Sequence, residues 1–358
     1  MNFKLFQDHT VRLYDLEGHP YQIQKVKARS LLSVHRFDLF AKLFYARNRD
    51  GRPLEAQEVY LKHIKAFNPD GREPGRSDKT SFDDFIRTFD SLLDYFKDKE
   101  FDETKSVVPV SSDGMILDGS HRVAALAYYD KEITIAKFEG VVPVSQFDYQ
   151  YFKERGLPQN ISDIIAKEVM YWMSNCYVAC MWPRMGTERQ KFPAMDALRK
   201  FSVPFYHKSI EVNLSSLTLF IAQIYQKQPW VGTEANHFAG AKDKALHCYF
   251  RGNKLDLFFF TSSRSLKEIL DLKNQIRELY PFEKHSIHIT DNNEETNDMA
   301  FLVLTKQGHE KWLYTGDWKG WKVMKQNIQE FIYIFKHTYW IDMKVWTASV
   351  LDKIRGKL

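Results

Sequence analysis

The residues best suited to chemistry lie in one short string, Asp118-Gly119-Ser120-His121-Arg122. The apolar segment Val107–Val110 and the short run Met115–Leu117 precede it as two predicted strands. An alanine-rich helix is predicted from about His121 to Tyr129. A glycine-bearing turn at a helix N-terminus presents backbone N–H groups and the positive end of the dipole. The string therefore predicts an anion site. The plainer alternative is a turn in which Asp118 caps the helix and the two basic residues are solvated.

Further charged residues lie in the polar segment 68–79, which we expect to be a loop. Loops of this length without secondary structure are mobile or functional. Arg76 and Lys79 would neutralise phosphate groups, and Glu73 or Asp118 would accept a proton from an attacking hydroxyl. A flexible surface loop is the alternative. The next helix, Phe82–Lys97, is predicted to begin at a capping pair formed by Thr80 and Asp83.

The order strand, turn, strand, DGSHR, helix resembles the nucleotide-binding motif of the ParB/sulfiredoxin superfamily over roughly residues 20–145. The superfamily includes free-serine kinases with a D-G-H-H-R string, in which Ser120 replaces the first histidine. No cysteine lies beside the motif, so sulfinate reduction is not expected. The resemblance implies that Gly119, Ser120, His121 and Arg122 bind ATP. It also implies catalytic roles for Asp118 and His121 and a Mg²⁺ ion at Asp118.

Arg36, Asp38 and Lys42 lie on one predicted helix within about a turn and a half. Asp38 and Lys42 have the i,i+4 spacing of ion pairs that stabilise exposed helices. One interpretation is a solvated, salt-bridged helix face. The other, which follows from the resemblance, places the three residues at the substrate pocket.

The densest polar string of the second half is Lys284–Thr296. On a strand, Ser286, His288 and Thr290 would point to one face. Asp291 and Glu294 resemble a capping pair for the next helix, so His288 and Asp291 would gather at the strand's carboxyl end. This predicts substrate binding in a phosphate or sugar pocket; a metal site with Glu295 and simple helix capping are the alternatives. The segment is similar to strings in bacterial surface-polysaccharide cluster proteins.

Length and alternation of elements predict an α/β (α+β) protein with three parts: a ParB/sulfiredoxin-like domain at 1–147, an acceptor-recognition domain at 148–325 and an amphipathic helix at 326–358. Val11–Tyr14 is expected to be a strand. Three cysteines without metal spacing, and an N-terminus without a signal-like apolar block, favour the cytoplasm. The net charge of +5 is dispersed, so nucleic acid is not an expected partner. The basic terminal helix leaves docking on the second domain or peripheral membrane contact open.

These observations favour an ATP-dependent small-molecule kinase that phosphorylates a hydroxyl of a sugar, polyol or amino-acid-like acceptor. Two alternatives stay open. One is a glycosyl- or nucleotidyl-transferase whose centre lies in the second domain, with Asp256 and Asp291 as metal-binding acids. The other is a ParB-like nucleotide-binding regulator that binds DNA, although no compact basic three-helix module follows residue 145.

Overall fold

The computed structural model describes residues 3–73 and 78–313. Arg76 and the predicted helix 326–358 lie outside this range. The α-helices are α1 Asp8–Tyr14, α2 Phe37–Asn48, α3 Pro53–Phe67, α4 Phe82–Asp98, α5 Ser120–Tyr128, α6 Tyr149–Glu154, α7 Gln159–Trp172, α8 Glu188–Phe201, α9 Leu214–Ile224, α10 Ala239–Cys248, α11 Leu266–Glu278, α12 Asn293–Leu304 and α13 Lys306–Glu310. The strands are β1 Tyr21–Lys27, β2 Val108–Val110, β3 Glu132–Phe138, β4 Cys176–Met181, β5 Val203–Glu211, β6 Lys254–Thr261 and β7 Ile287–Ile289. The protein is thus of the mixed α/β class that the sequence predicts.

The first sheet has the order β1-β3-β2 and carries the DGSHR motif between two of its strands. β2 is parallel to β3, and α5 connects them, so the motif occupies the turn of a β–α–β connection. Ile116 pairs with Val110 through a single isolated bridge, so the predicted strand Met115–Leu117 is wrong. Residues 123–127 of α5 are all buried, and the three alanines among them let the helix pack closely against α2. The motif is therefore mounted on a helix that is fixed in the core.

Two helices form the walls behind the motif. Eleven of the 12 residues of α2 are buried, because apolar side chains occur on all sides of this helix and it lies in the interior. α4 is amphipathic: Phe85, Phe89, Leu93 and Phe96 recur at helical spacing and are buried. Its N-cap is Ser81, whose hydroxyl accepts a hydrogen bond from Asp84 N. The predicted Thr80–Asp83 pair is therefore wrong by one residue.

The second sheet is antiparallel, with the order β5-β6-β4-β7. β4 and β6 are its inner strands and consist almost wholly of buried residues. β7 is an edge strand, and the chain leaves its carboxyl end toward α12. The cap of α12 is Asn292, which accepts from Glu295 N, and not the predicted pair of Asp291 and Glu294.

The largest hydrophobic cluster contains buried residues from both halves of the chain, from Ala28 to Trp312. α2 packs against α7, and an ion pair between Arg47 and the buried Glu168 joins these helices. The core is thus continuous across residue 147, where the sequence predicts a domain boundary. No helix within the described ranges is both long and apolar enough to span a bilayer.

The segment Val11–Tyr14 belongs to helix α1, so the expected strand is wrong. Thr10 is buried, and Val11 and Tyr14 contact the cluster around Phe6 and Phe138. Spacing of three residues places Val11 and Tyr14 on one helical face. A window of four residues is too short to distinguish that pattern from a strand.

Candidate functional site

A cavity of about 360 Å³ opens at the DGSHR motif, within the size range of small-molecule sites. The first turn of α5, the helical turn at residues 3–5, α4 and the ends of the 73–79 loop enclose it. Seven residues predicted to be catalytic or nucleotide-binding line this motif cavity: Glu73, Lys79, Asp118, Gly119, Ser120, His121 and Arg122. The structure therefore brings together every member of those two predicted groups that it describes.

Gly119 shapes the entrance of α5. It is the N-cap residue, with φ of 84°, and it offers no side chain to cap the first turn. A Cβ atom at this position would lie 2.7 Å from Arg122 Nη2. Glycine adopts this left-handed backbone without strain, and a larger residue here would displace the Arg122 guanidinium. The first helical turn consequently lines the cavity without a capping side chain between it and a ligand.

Two ion pairs place acidic and basic groups on the cavity wall. Arg122 Nη2 lies 3.4 Å from Asp118 Oδ2. Lys79 is only 4% exposed, and its Nζ lies 2.5 Å from Glu73 Oε2, although the direction of approach is not that of a hydrogen bond. Lys4 and Lys105 add two further cations at the rim. The cavity thus presents several cations and two carboxylates to the same space.

His121 is held against an aromatic wall. Its ring contacts Phe89 edge-on at 5.1 Å, and its Nε2 lies 2.8 Å from Tyr60 Oη. The Tyr60 hydroxyl also lies 3.2 Å from Phe85 O, so it contacts both the imidazole and the backbone of α4. Burial raises the pKa of Tyr60 far above its usual value, so the hydroxyl stays neutral. The imidazole is therefore fixed in orientation.

Arg36, Asp38 and Lys42 are buried behind the motif cavity, which contradicts the expectation of a solvated helix face. Asp38 accepts two hydrogen bonds from Arg36, at 2.8 and 3.0 Å, and one from Lys42 at 2.9 Å. Burial raises the pKa of Asp38, but the two cations outweigh burial and hold it far below its usual value. None of the three lines a described cavity. Their predicted contact with substrate is not supported.

The buried network instead positions the motif. Arg36 Nη1 donates to Ile116 O at 2.6 Å, two residues before Asp118. On its other side, Lys42 Nζ lies 3.3 Å from His63 Nε2, and His63 Nδ1 bonds to Tyr60 O. Burial, followed by the field of Lys42, lowers the pKa of His63 to about 3, so this histidine is neutral. The network connects Ile116, just before the motif, with α3, whose Tyr60 contacts the His121 ring.

His288 and Asp291 line a different cavity, of about 410 Å³, which shares no lining residue with the motif cavity. The structure brings these two residues together but does not join them to the DGSHR motif. Asp256, the other acid considered for the second half, pairs with Lys191, whereas Asp291 pairs with Lys273. β4 lies between their strands. These carboxylates cannot share one metal ion.

Among residues 3–73 and 78–313, no cluster of three or more His, Cys, Asp or Glu side chains has a metal-binding arrangement. Mg²⁺ is a different case, because it uses one or two carboxylates together with substrate phosphates and water. Asp118 and Glu73 fit that requirement, since both line the motif cavity. One of the two would hold the ion, which would supply charge neutralisation for the phosphates, and the other would be left for proton transfer.

Several residues that line the two cavities or hold their side chains in place were not predicted from the sequence. Tyr60 and Phe89 orient His121 from positions 61 and 32 residues away, and no local pattern marks either one. Lys105 precedes β2 by only a few residues, so its place near the motif could have been expected from the strand order. In the second cavity, Tyr225, Trp230 and Arg277 come from two other segments.

Comparison of the chain with protein-family models, curated proteins and solved structures gives no match. The ParB/sulfiredoxin-like assignment therefore stays a prediction from the motif.

Proposed function

We propose that the chain is an ATP-dependent kinase that binds MgATP in the motif cavity and phosphorylates a hydroxyl of a small molecule. One observation carries the proposal: the uncapped first turn of α5, the cations Arg122 and Lys79, and the carboxylates of Asp118 and Glu73 face the same cavity. Phosphoryl transfer chiefly requires positioned cations around the phosphates and a group that receives the hydroxyl proton.

The phosphates would lie against the first turn of α5. There the backbone N–H groups and the helix dipole favour negative charge. Arg122 would make charge-assisted hydrogen bonds to phosphate oxygens, and Lys79 would act as a point charge from the opposite wall. Because Lys79 is buried and held by Glu73, it needs little reordering to do so.

In the transfer step, the acceptor oxygen forms a bond to the γ-phosphorus while the bond from that phosphorus to the β,γ-bridging oxygen breaks. ADP leaves with the electron pair, and the acceptor's proton passes to a carboxylate. Asp118 is the better candidate for this base. Its contact with Arg122 is longer than the contact between Glu73 and Lys79. His121, fixed by Tyr60, would orient the acceptor.

The acceptor would bind inside the motif cavity, next to Asp118 and His121. The buried Arg36–Asp38–Lys42 network is out of its reach, and His288 and Asp291 line another cavity. Sugars, polyols and hydroxyl-bearing amino acids remain the proposed acceptor class, with the cytoplasm as the proposed compartment.

The test is ADP formation from ATP and Mg²⁺ with a panel of sugars, polyols and amino acids, with the phosphorylated product detected by mass spectrometry. With an active acceptor, Asp118→Asn should lower kcat by about 10²–10⁴-fold, the usual contribution of a general base. Glu73→Gln should act mainly on ATP binding, because it releases Lys79.

Arg87→Ala is the matched control for variants of the cavity cations. Arg87 lies on α4 beside the cavity, and its side chain is 73% exposed. Among the described residues, Asp84 is the only carboxylate within ion-pair distance of it. It should leave turnover unchanged. Absence of phosphorylated product with every acceptor, or full activity of Asp118→Asn, would contradict the proposed chemistry.

A further inference from the structure

The second cavity lies at the carboxyl end of edge strand β7, between α9, α11 and the start of α12. Its volume of about 410 Å³ is that of a small-molecule site. None of its lining residues belongs to the motif cavity, so any ligand here is additional to the proposed nucleotide. We call it the β7 cavity.

A chain of polar groups forms its back wall. Tyr225 Oη lies 2.9 Å from His288 Nδ1, and His288 Nε2 lies 2.8 Å from Glu295 Oε1, with an approach outside hydrogen-bond geometry. His288 is 4% exposed, and Glu295 also accepts a hydrogen bond from Asp291 N at 2.7 Å. These contacts fix the polar wall before a ligand arrives, which lowers the entropic cost of binding.

The charges of the cavity are unevenly compensated. Three of the four acids that line the cavity have basic neighbours: Asp291 pairs with Lys273, Glu294 with Lys227, and Glu295 with His288. The fourth, Asp298, has no ion pair among the described residues and is open to hydroxyl groups. Arg277, one turn after Lys273 on α11, has no carboxylate within ion-pair distance in the described part of the chain. Its Nε and Nη1 make long contacts of 3.4 and 3.5 Å with Ile287 O and Asn274 Oδ1. Arg277 is thus available for one anionic group.

The remaining wall suits a hydroxylated ring. The Trp230 side chain lines the cavity, is 45% exposed, and packs 5.2 Å from the Tyr225 ring. Carboxylates and amides line the same cavity, including Glu294, Asp298 and Gln228, and their oxygens accept hydrogen bonds from hydroxyl groups. A nucleobase would also stack on Trp230, but it offers few donors to so many acceptors.

We infer that the β7 cavity binds an anionic monosaccharide: a hydroxylated ring that lies against Trp230 and carries one phosphate or carboxylate group at Arg277. The acids opposite accept its hydroxyls, and the His288 wall closes the inner end. This inference does not depend on the motif cavity or on the proposed kinase activity, because the two cavities have no residue in common.

The test is calorimetric titration of the full chain with hexose 6-phosphates and hexuronates of the gluco, galacto and manno series. Glucose, inorganic phosphate and AMP are the comparison ligands. At least one anionic sugar should bind and change tryptophan fluorescence. Tight binding of the phosphate series or of the uronate series identifies the anionic group.

Arg277→Met should weaken binding of that sugar at least tenfold, the lower end expected for hydrogen bonds to a charged group. Arg277→Lys should retain part of the affinity, which shows that any loss is not due to misfolding. Arg264→Met is the control, because it removes an exposed arginine just before the same helix. ATP binding should stay the same in all three variants.

Three results would overturn the inference. They are absence of binding by every anionic sugar, binding of inorganic phosphate as tight as that of any sugar phosphate, and preferential binding of AMP that depends on Arg277. The second would indicate an unspecific anion site, and the third a nucleotide site.

Discussion

Asp38→Asn should destabilise the protein strongly, because it removes the only carboxylate that Arg36 and Lys42 contact in the described structure. Asp38 is 1% exposed, and both cations are nearly as deeply buried. Breaking a buried ion pair costs about 3–5 kcal/mol, since the remaining charge is left without a partner. Two cations are left here, so we expect a loss of at least about 4 kcal/mol in the free energy of unfolding.

The assay is urea unfolding at pH 7, followed by far-UV circular dichroism. Asp90→Asn is the control. Asp90 also accepts hydrogen bonds from an arginine, Arg49, and from Tyr45, but its side chain is 36% exposed. Exposed pairs contribute about 1 kcal/mol or less. Replacing Arg36, Asp38 and Lys42 together by Met, Leu and Met should recover most of the lost stability. A loss in Asp38→Asn no larger than that in Asp90→Asn would refute the reasoning.

Three further variants test the surroundings of the motif. Gly119→Ala should cost about 1–2 kcal/mol in the free energy of unfolding, because alanine is strained in the left-handed backbone, and it should weaken ATP binding by displacing Arg122. Urea unfolding measures the first effect and calorimetric titration the second. Wild-type stability and affinity would show that the turn tolerates a side chain. His63 has a pKa of about 3 in the folded protein, below its usual 6.5, so the unfolded state binds more protons between these values. The free energy of unfolding should therefore fall by up to about 1.4 kcal/mol per pH unit as the pH drops from 6.5 toward 3. In urea unfolding at several pH values, His63→Gln should reduce this slope. An unchanged slope would mean that His63 is not buried as a neutral group. Tyr60→Phe should lower kcat by up to about 10²-fold with little effect on ATP affinity, because it frees the His121 ring; unchanged kcat would exclude a role for that orientation.

Local sequence patterns predicted the framework of the motif cavity well. The strand before the motif, helix α5 and helix α4 were expected within a few residues of their observed bounds. Their hydrophobic periodicity and turn residues act over short distances, so a single sequence reveals them. The charges of the 72–79 loop, next to the N-terminus of α4, indicated that Glu73 and Lys79 would act at the same phosphate site as the DGSHR string.

Burial and long-range proximity were not predictable in the same way. Asp38 and Lys42 have the spacing of a surface pair, and only the packing of α2 inside the protein makes them interior groups. His288 and Asp291 were expected to join the acceptor site, but their distance from the motif depends on how the second sheet packs. The capping errors at α4 and α12 are shifts of one residue among several suitable polar side chains.

The most direct test of the central claim is calorimetric titration of a non-hydrolysable ATP analogue with Mg²⁺ into the wild-type chain, Arg122→Ala and Arg87→Ala. The wild type should bind one nucleotide, and Arg87→Ala should bind it equally well. Arg122→Ala should raise the Kd about 10–150-fold, which corresponds to the loss of about 1.5–3 kcal/mol from a hydrogen bond to a charged group. No binding by the wild type, or the same affinity in Arg122→Ala, would show that the motif cavity is not a nucleotide site.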